Sequence, residues 1–222
     1  MTEDGDPSLP ELPMPDSLDK IASEVRVCVR CPLGKGRTYA VPGEGPANAR
    51  IMFIGEGPGY HEDMQGRPFV GASGQYLEEL LAGTHLRRKD VFIANVVKCR
   101  PPGNRDPEPV ELAACRDYLD RQIALILPEV VVTLGRFSMQ RYFPGQSITR
   151  IHGQPKRVGD VYYLPLFHPA AALRNPEWRQ QMVSDFALIP QLLAELDAAK
   201  APKQPESAQD EDDENYTQLS LF

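Results

Sequence analysis

Four short apolar stretches rich in β-branched residues constrain the fold more than any other feature of this 222-residue chain. They cover residues 50–54, 91–97, 130–134 and 161–167. Each stretch is nearly continuous rather than alternating, a pattern typical of strands that are covered on both faces. Such strands need helices on both sides of their sheet, because an uncovered apolar face would remain in water.

Segments with helical periodicity separate and follow these stretches. They span residues 73–82, 109–127 and 178–196, with a shorter candidate at 136–142. Strands that alternate with helices indicate parallel pairing through crossover connections. The sequence therefore predicts an α/β fold, namely a three-layer α/β/α sandwich around a central four-stranded parallel sheet.

Both ends of the chain are acidic, unlike its middle. Residues 1–19 carry six acids and no base, and residues 203–222 carry six acids against a single lysine. The whole chain has a net charge of −7, whereas the 23 bases and 19 acids of residues 20–202 give that body +4. We therefore predict a disordered acidic, proline-rich N-terminus (1–16), one globular domain (17–198) and a disordered acidic linker (199–217).

No apolar run approaches the roughly 20 residues that a membrane-spanning helix needs, and the N-terminus has no secretory signal pattern. These features predict a cytoplasmic protein without a membrane partner, and we expect it to be a monomer. A mildly basic body is compatible with a nucleic-acid ligand, although so small a charge does not indicate one by itself.

The chain has four cysteines, Cys28, Cys31, Cys99 and Cys115. Structural disulfides are rare in the cytosol, and four thiolates complete either a zinc site or a cubane iron–sulfur cluster. One Cys-x2-Cys pair with two separately placed cysteines is less typical of a zinc ribbon, which favours two paired knuckles. Four unrelated thiols are the remaining alternative, and spacing alone does not decide among the three.

Polar side chains follow three of the predicted strands. Glu56 lies directly after the first strand in a glycine-rich loop, Asn95 lies near the end of the second, and His168 follows the fourth. Ligands of open α/β sheets bind at the carboxyl ends of the strands, so we expect these residues to share a site. The loop lacks the Gly-Lys-Ser/Thr of a nucleoside triphosphate site. A buried amide such as that of Asn95 suits the edge of a nucleobase, because it is both donor and acceptor.

Read together, several strings resemble the iron–sulfur uracil-DNA glycosylases, in particular family 4. The matching strings are Cys28-Val-Arg-Cys31-Pro-Leu, Gly55-Glu-Gly-Pro-Gly59 with Glu62-Asp63, Gly66-Arg-Pro-Phe-Val-Gly71, Asn95-Val-Val-Lys-Cys99-Arg-Pro-Pro, Asn104, Cys115, Leu134-Gly135 and His168-Pro-Ala. They occur in family order over roughly residues 18–196. The resemblance implies a [4Fe–4S] cluster within the α/β/α fold and the excision of uracil from DNA.

The resemblance also implies roles for individual residues. The four cysteines match the cluster ligands, and four positions match catalytic groups: Glu56, Glu62, Asn104 and His168. Gly57 accompanies Glu56 at the floor of the base pocket, where Phe69 matches the ring that stacks on uracil. Asn95 matches the amide that reads the edge of the base, and His168 matches the imidazole that contacts uracil O2.

Two further features concern the way the chain meets its partners. A flipped base leaves a gap in the duplex, and we expect Leu173 to fill it as a wedge, with Ala172 as a second candidate. The alternative for Leu173 is a core leucine at the start of a helix. The last five residues resemble the peptide that binds the bacterial sliding clamp, with contacts from Gln218, Leu219, Leu221 and Phe222. The resemblance thus implies two partners, uracil-containing DNA and a sliding clamp.

Three alternatives stand beside this interpretation. Family 5 glycosylases of broader base range typically lack the acid that is present here as Glu56. The covalent-trapping relatives carry an Arg- and His-bearing insertion shortly after the asparagine motif, whereas Asn95 here runs into Cys99 without one. A non-catalytic, replication-associated DNA-binding module on the same fold has no need for Glu56, Asn95 and His168 together at strand ends.

Overall fold

The computed structural model describes residues 15–201, so the predicted clamp-binding peptide and nearly all of both predicted tails lie outside it. Its helices are Leu18–Val27 (α1), Leu33–Gly36 (α2), Tyr60–Gln65 (α3), Ala72–Gly83 (α4), Pro109–Ile126 (α5), Arg136–Met139 (α6), Ile148–Ile151 (α7), Pro169–Ala172 (α8), Pro176–Phe186 (α9) and Leu188–Lys200 (α10). Its strands are Ile51–Gly55 (β1), Phe92–Asn95 (β2), Val130–Leu134 (β3), Lys156–Val158 (β4) and Val161–Leu166 (β5).

The described strands form one sheet in the order β2-β1-β3-β5-β4. The four predicted strands are present and run parallel to one another. The predicted strand count is wrong, because β4 adds an antiparallel edge and makes the sheet mixed and five-stranded. All three residues of β4 are exposed. A short, charged edge strand gives no apolar run in the sequence, and for the same reason it discourages pairing with another chain.

Helices cover both faces of the sheet, as the layered prediction requires. Along β1 the side chains alternate between two buried cores. Ile51 and Phe53 share one core with apolar residues of α4, α9 and α10. Met52 and Ile54 share the other with apolar residues of α5. The ring of Phe53 stacks on that of Phe186 with the centroids 5.7 Å apart, which fixes α9 against the sheet.

The segment predicted as one helix over residues 178–196 is two helices, α9 and α10, which meet at Ala187. Pro190 lies in the first turn of α10, where its missing N–H breaks no helical hydrogen bond. In a continuous helix the ring of Pro190 would clash with the carbonyl of Phe186, so the chain bends before it. None of the helices within residues 15–201 is both long enough and apolar enough to span a membrane.

Gly74 and Gly83 of α4 provide a matched test of how closely this helix approaches the loop before it. A Cβ on Gly74 would overlap the backbone carbonyl of Phe69, whereas a Cβ on Gly83 would meet nothing within 4 Å. We expect Gly74→Ala to destabilise the fold by about 1–3 kcal/mol, a loss of several degrees in Tm. Gly83→Ala should leave Tm unchanged or raise it, because alanine favours a helix. Equal Tm values for the two variants in thermal melts followed by circular dichroism would contradict the close approach.

Candidate active site

A cleft of about 670 Å³ opens at the carboxyl ends of the parallel strands. Seven of the residues predicted for the base site line it: Glu56, Gly57, Glu62, Phe69, Asn95, Asn104 and His168. They come from five separate segments of the chain, which the parallel sheet brings to one edge. The structure therefore assembles the predicted constellation in a single place.

Asn95 forms the most buried polar part of this cleft. It is the last residue of β2, where it pairs in register with Gly55 of β1, and it is only 2% exposed. Its Oδ1 atom is buried and has no hydrogen-bond partner among residues 15–201. A buried acceptor without a partner is costly, and native structures rarely keep one without a reason. The position in the cleft indicates that a donor on a ligand completes it.

Phe69 lies beside Asn95 in a left-handed backbone conformation, with φ at 51°, that bulky residues seldom adopt. The Arg88 side chain holds this turn by donating to the backbone carbonyls of Pro68 and Phe69. The Phe69 ring is buried, and its centroid lies 5.7 Å from that of His168 with the planes inclined by 28°. The ring is therefore fixed before any ligand arrives.

Glu62 joins the two loops that frame Phe69. One carboxylate oxygen, Oε1, accepts hydrogen bonds from the backbone N–H groups of Val70 (2.8 Å) and Gly71 (2.9 Å). The other, Oε2, accepts one from the N–H of Gly59 at 3.1 Å. Charge-assisted bonds of this kind are among the stronger ones in proteins. The described hydrogen bonds of this carboxylate are thus made to backbone N–H groups of the site. Sequence reasoning did not anticipate this.

His168 is the N-cap residue directly before α8, and it lines the cleft just beyond the end of β5. Its Nδ1 accepts a hydrogen bond from the backbone N–H of Ala170 at 3.1 Å, so the ring proton belongs on Nε2. Burial lowers the pKa of His168 to about 4, although the nearby Glu62 carboxylate acts in the opposite direction. The imidazole is consequently a neutral Nε2–H donor at pH 7.

Glu56 follows β1 directly and is half-buried in the cleft. Within residues 15–201 its carboxylate makes no hydrogen bond or ion pair. Burial raises the pKa of Glu56, the Asp106 charge raises it further, and Arg136 opposes both. A carboxylate with a raised pKa and no partner is available to a water molecule or to a positive charge on a ligand.

Asn104 and Leu173 lie at the rim rather than the floor. Asn104 is exposed, in a left-handed conformation, and its Oδ1 accepts from Arg100 Nε at 2.7 Å. Leu173, directly after α8, is 42% exposed and does not itself line the cleft, whereas its neighbour Arg174 does. An exposed leucine beside the opening is compatible with the predicted wedge.

The four cysteines are all free thiols and line a second, smaller cavity beneath α1. Cys99 and Cys115 are buried, whereas Cys28 and Cys31 are partly exposed. Burial raises the pKa of the Cys99 thiol and raises that of Cys115 to about 11. No group of three or more His, Cys, Asp or Glu side chains in the described part of the chain is arranged to hold a metal ion.

Three cations line this second cavity: Arg30 and Lys98, which flank the cysteine motifs in the sequence, and Arg37, which sequence reasoning did not single out. Arg37 donates to Cys99 Sγ at 3.2 Å, and Lys98, next to Cys99, is almost completely buried. The cleft likewise gains Asp106 and Arg174, which sequence reasoning missed, and Tyr60 also lines it. All of these lie within a few residues of a motif, which is the signal that could have found them, but only the fold shows which side chains turn inward.

Comparison with known proteins agrees with this geometry. The model of the family described as the uracil DNA glycosylase superfamily matches residues 42–188. The type-4 uracil-DNA glycosylase of Sulfurisphaera tokodaii is 49% identical over 187 residues, which cover 80% of this chain and 85% of the relative. The type-4 enzyme of Archaeoglobus fulgidus is 46% identical over 186 residues, which cover 80% of this chain and 94% of the relative. The type-5 uracil-DNA glycosylase of Thermus thermophilus is 38% identical over 141 residues, which cover 56% of this chain and 63% of the relative.

The α/β fold and the matched region define the chain as a member of the uracil DNA glycosylase superfamily. The higher identity and wider coverage of the type-4 relatives than of the type-5 enzyme decide its place within that superfamily. The chain belongs to the type-4 uracil-DNA glycosylases, and the recognition made from the sequence is confirmed.

The tautomer and pKa of His168 are open to direct measurement. In long-range ¹H–¹⁵N spectra, with the signal assigned by its loss in His168→Asn, we expect Nε2 protonated and Nδ1 bare at pH 7. The titration midpoint should fall near 4 instead of the usual value of about 6.5. The unfolded chain binds this proton at a higher pH than the folded chain does. The free energy of unfolding should therefore decrease as the pH drops from about 6.5 toward 4. A midpoint near 6.5, or a proton on Nδ1, would refute the assignment.

Proposed function

We propose that this chain excises uracil from DNA by hydrolysing the N-glycosidic bond of a flipped-out deoxyuridine, the first step of base excision repair. The observation that carries the proposal is the unpartnered Oδ1 of Asn95, which is buried at the floor of the cleft beside the Phe69 ring. The names of the type-4 relatives, uracil-DNA glycosylases, support the same activity.

Asn95 accounts for the choice of base. Uracil carries an N3–H donor next to the O4 acceptor, so Oδ1 of Asn95 accepts from N3–H while Nδ2 donates to O4. Cytosine carries an acceptor at N3 and a donor amine at C4, and this inverted edge leaves both atoms of the amide mismatched. A floor this deep is reached only by a base that has left the duplex. Stacking on Phe69 offsets part of the cost of unstacking.

His168 and Glu56 supply the groups that the reaction needs. Cleavage of the glycosidic bond leaves negative charge on the departing base and positive charge on the sugar. The neutral Nε2–H of His168, aimed at O2, stabilises the developing anion as a preorganised donor. The half-buried carboxylate of Glu56 stabilises the cationic sugar and accepts a proton from the attacking water, for which its raised pKa suits it.

The remaining predicted residues position the nucleotide and the site and take no part in breaking the glycosidic bond. Glu62 serves catalysis by holding the Phe69 turn in place through the backbone of Val70 and Gly71. Leu173 enters the gap that the flipped base leaves, because it is the exposed apolar side chain beside Arg174 at the cleft. Asn104, oriented by Arg100, contacts the nucleotide at the rim.

A [4Fe–4S] cluster held by Cys28, Cys31, Cys99 and Cys115 is part of the proposal. No group in the described part of the chain is arranged to hold a single metal ion, but the four sulfurs line one cavity, as the ligands of a larger four-iron core must. The two cations Arg37 and Lys98 border that cavity from the side of Cys99. A bound cluster would cross-link the segment that follows α1 to the segment between β2 and α5. Excision is a hydrolysis, so no electron transfer is required of it.

Replacing Asn95 tests the base-reading role. With a labelled uracil-containing strand and alkaline cleavage, the unaltered protein should cut at uracil, and Asn95→Ala should slow single-turnover excision at least about a hundredfold. Its Kd for the same DNA, measured by fluorescence anisotropy, should change less than about threefold, because phosphate contacts supply most of the affinity.

The surface variant Asn48→Ala is the matched control and should change neither quantity. If excision and binding fell in parallel in Asn95→Ala, the amide would not be the group that reads the base. If the unaltered protein caused no strand scission, the glycosylase proposal itself would be wrong in favour of a DNA-binding module. Excision of hypoxanthine or xanthine at a comparable rate would indicate the broader range of a type-5-like enzyme.

The clamp partner is proposed from the sequence alone, since its residues lie outside the described range. Leu219, Leu221 and Phe222 are spaced to insert apolar anchors into a groove, with Gln218 fixing the register. Deleting residues 218–222 should abolish binding to a bacterial sliding clamp, expected at a micromolar Kd, and leave excision from a short oligonucleotide unchanged. Ser220→Ala, between the anchors, is the control that should still bind. Equal calorimetric affinities of the full-length and shortened chains would end the clamp assignment.

A further inference from the structure

Lys98 is an almost fully buried cation that has no carboxylate partner in the described part of the chain. The residue is 1% exposed, and the acceptor that residues 15–201 offer its ammonium group is the neutral Oε1 of Gln122 at 2.7 Å. Gln122 is itself fixed, because its Nε2 donates to the carbonyl of Pro42 at 2.8 Å. Within residues 15–201 no carboxylate forms an ion pair with Lys98. An ammonium group has three donors, so most of its bonding capacity here is unused.

Arg37 is a second cation beside the cysteine cavity, and its hydrogen bonds lie around the Cys-x2-Cys loop and Cys99. Its Nη1 donates to the carbonyl of Cys28 at 2.7 Å and to Cys99 Sγ at 3.2 Å. Its Nη2 donates to the carbonyl of Arg26 at 2.8 Å. The described part of the chain offers it no carboxylate partner either. Arg37 therefore spans the Cys-x2-Cys loop and Cys99 with one planar group.

A buried charge is tolerated only where an opposite charge or several hydrogen bonds compensate it. Lys98 and Arg37 meet no carboxylate of the described residues, but both border the cavity that all four cysteines line. A cubane core with four thiolates carries two net negative charges, which two cations would balance. The two side chains therefore approach the place where negative charge would lie if the proposed cluster were bound.

We propose that Arg37 and Lys98 are the counter-cations of the cluster, which raise its reduction potential and retard its loss to oxygen. This inference rests on the proposed cluster and adds to it the residues that set its stability. The reduction potential of an iron–sulfur cluster depends on local charge and on hydrogen bonds to the sulfurs, because both stabilise the more negative, reduced state. Arg37 supplies a charge and a hydrogen bond to Cys99, whereas Lys98 supplies a charge of low solvent exposure.

The test measures the cluster and not catalysis. Arg37→Gln, Lys98→Met and the control Lys35→Gln are purified without oxygen as full-length chains. Each substitution removes one positive charge, but Lys35 is exposed on the short helix α2, where water screens its charge. We expect Arg37→Gln and Lys98→Met to shift the potential in film voltammetry to more negative values, and Lys35→Gln to leave it unchanged. Their visible absorbance should bleach several-fold faster in air than that of the control.

If Lys98→Met fails to fold, Gln122→Glu gives a second measurement. A glutamate at this position would pair with Lys98 and cancel its charge while the lysine remains, so the potential should again become more negative. Potentials and bleaching rates that match the control in Arg37→Gln and in the Lys98 or Gln122 variant would overturn the inference while leaving the cluster intact. Unaltered protein that holds no iron and sulfide, or one zinc, would instead overturn the proposed cluster and the inference with it.

Discussion

The parallel pairing of β1 with β2 decides where every other part of the site can lie. Its register places Gly55 beside Asn95, and the missing side chain of Gly55 leaves the space that the amide and the Phe69 ring occupy. A Cβ on Gly55 would lie 2.7 Å from Phe69 Cζ and would overlap Asn95 Oδ1. The base-reading group of the proposed enzyme thus depends on a glycine that has no group of its own to offer a ligand. The atoms that this Cβ would meet are side-chain atoms of Asn95 and Phe69, both of them buried, so close packing leaves little room for compensation.

Two charged side chains then fix the loops that this pairing brings together. Glu62 accepts from three backbone N–H groups on one side of Phe69, and Arg88 donates to two carbonyls on the other. Loops at the surface usually satisfy their backbone groups with water, whereas these satisfy them with buried or half-buried side chains. An aromatic ring held in this way can meet a flipped base without first losing conformational freedom. The described hydrogen bonds of the Glu62 carboxylate make these loops rigid, and its catalytic role stays a prediction.

The proposed cluster region is joined to the base cleft by only a few residues. Asn95 and Cys99 lie at the two ends of one buried segment, and Val97 within it donates to the carbonyl of Glu56 at 3.1 Å. Lys98 accepts at its backbone carbonyl from the N–H of Val41 at 2.7 Å. A cross-link among the four cysteines would therefore brace the segment that carries Asn95. The cleft and the cysteine cavity are joined by this one buried segment, so the proposed cluster would stabilise the base site without transferring electrons.

The sequence by itself determined the four parallel strands, the helices that cover them and the cleft residues, because periodicity and motif order are local properties of the chain. It did not reveal β4, which has no apolar run. It also did not reveal the break between α9 and α10, which results from Pro190 in the first turn of α10. Within residues 15–201, only the tertiary structure decided that Oδ1 of Asn95 has no partner, that burial keeps His168 neutral with its proton on Nε2, and that Lys98 has no carboxylate partner. These properties depend on atoms that distant segments bring within a few ångströms, and no pattern along one segment contains them.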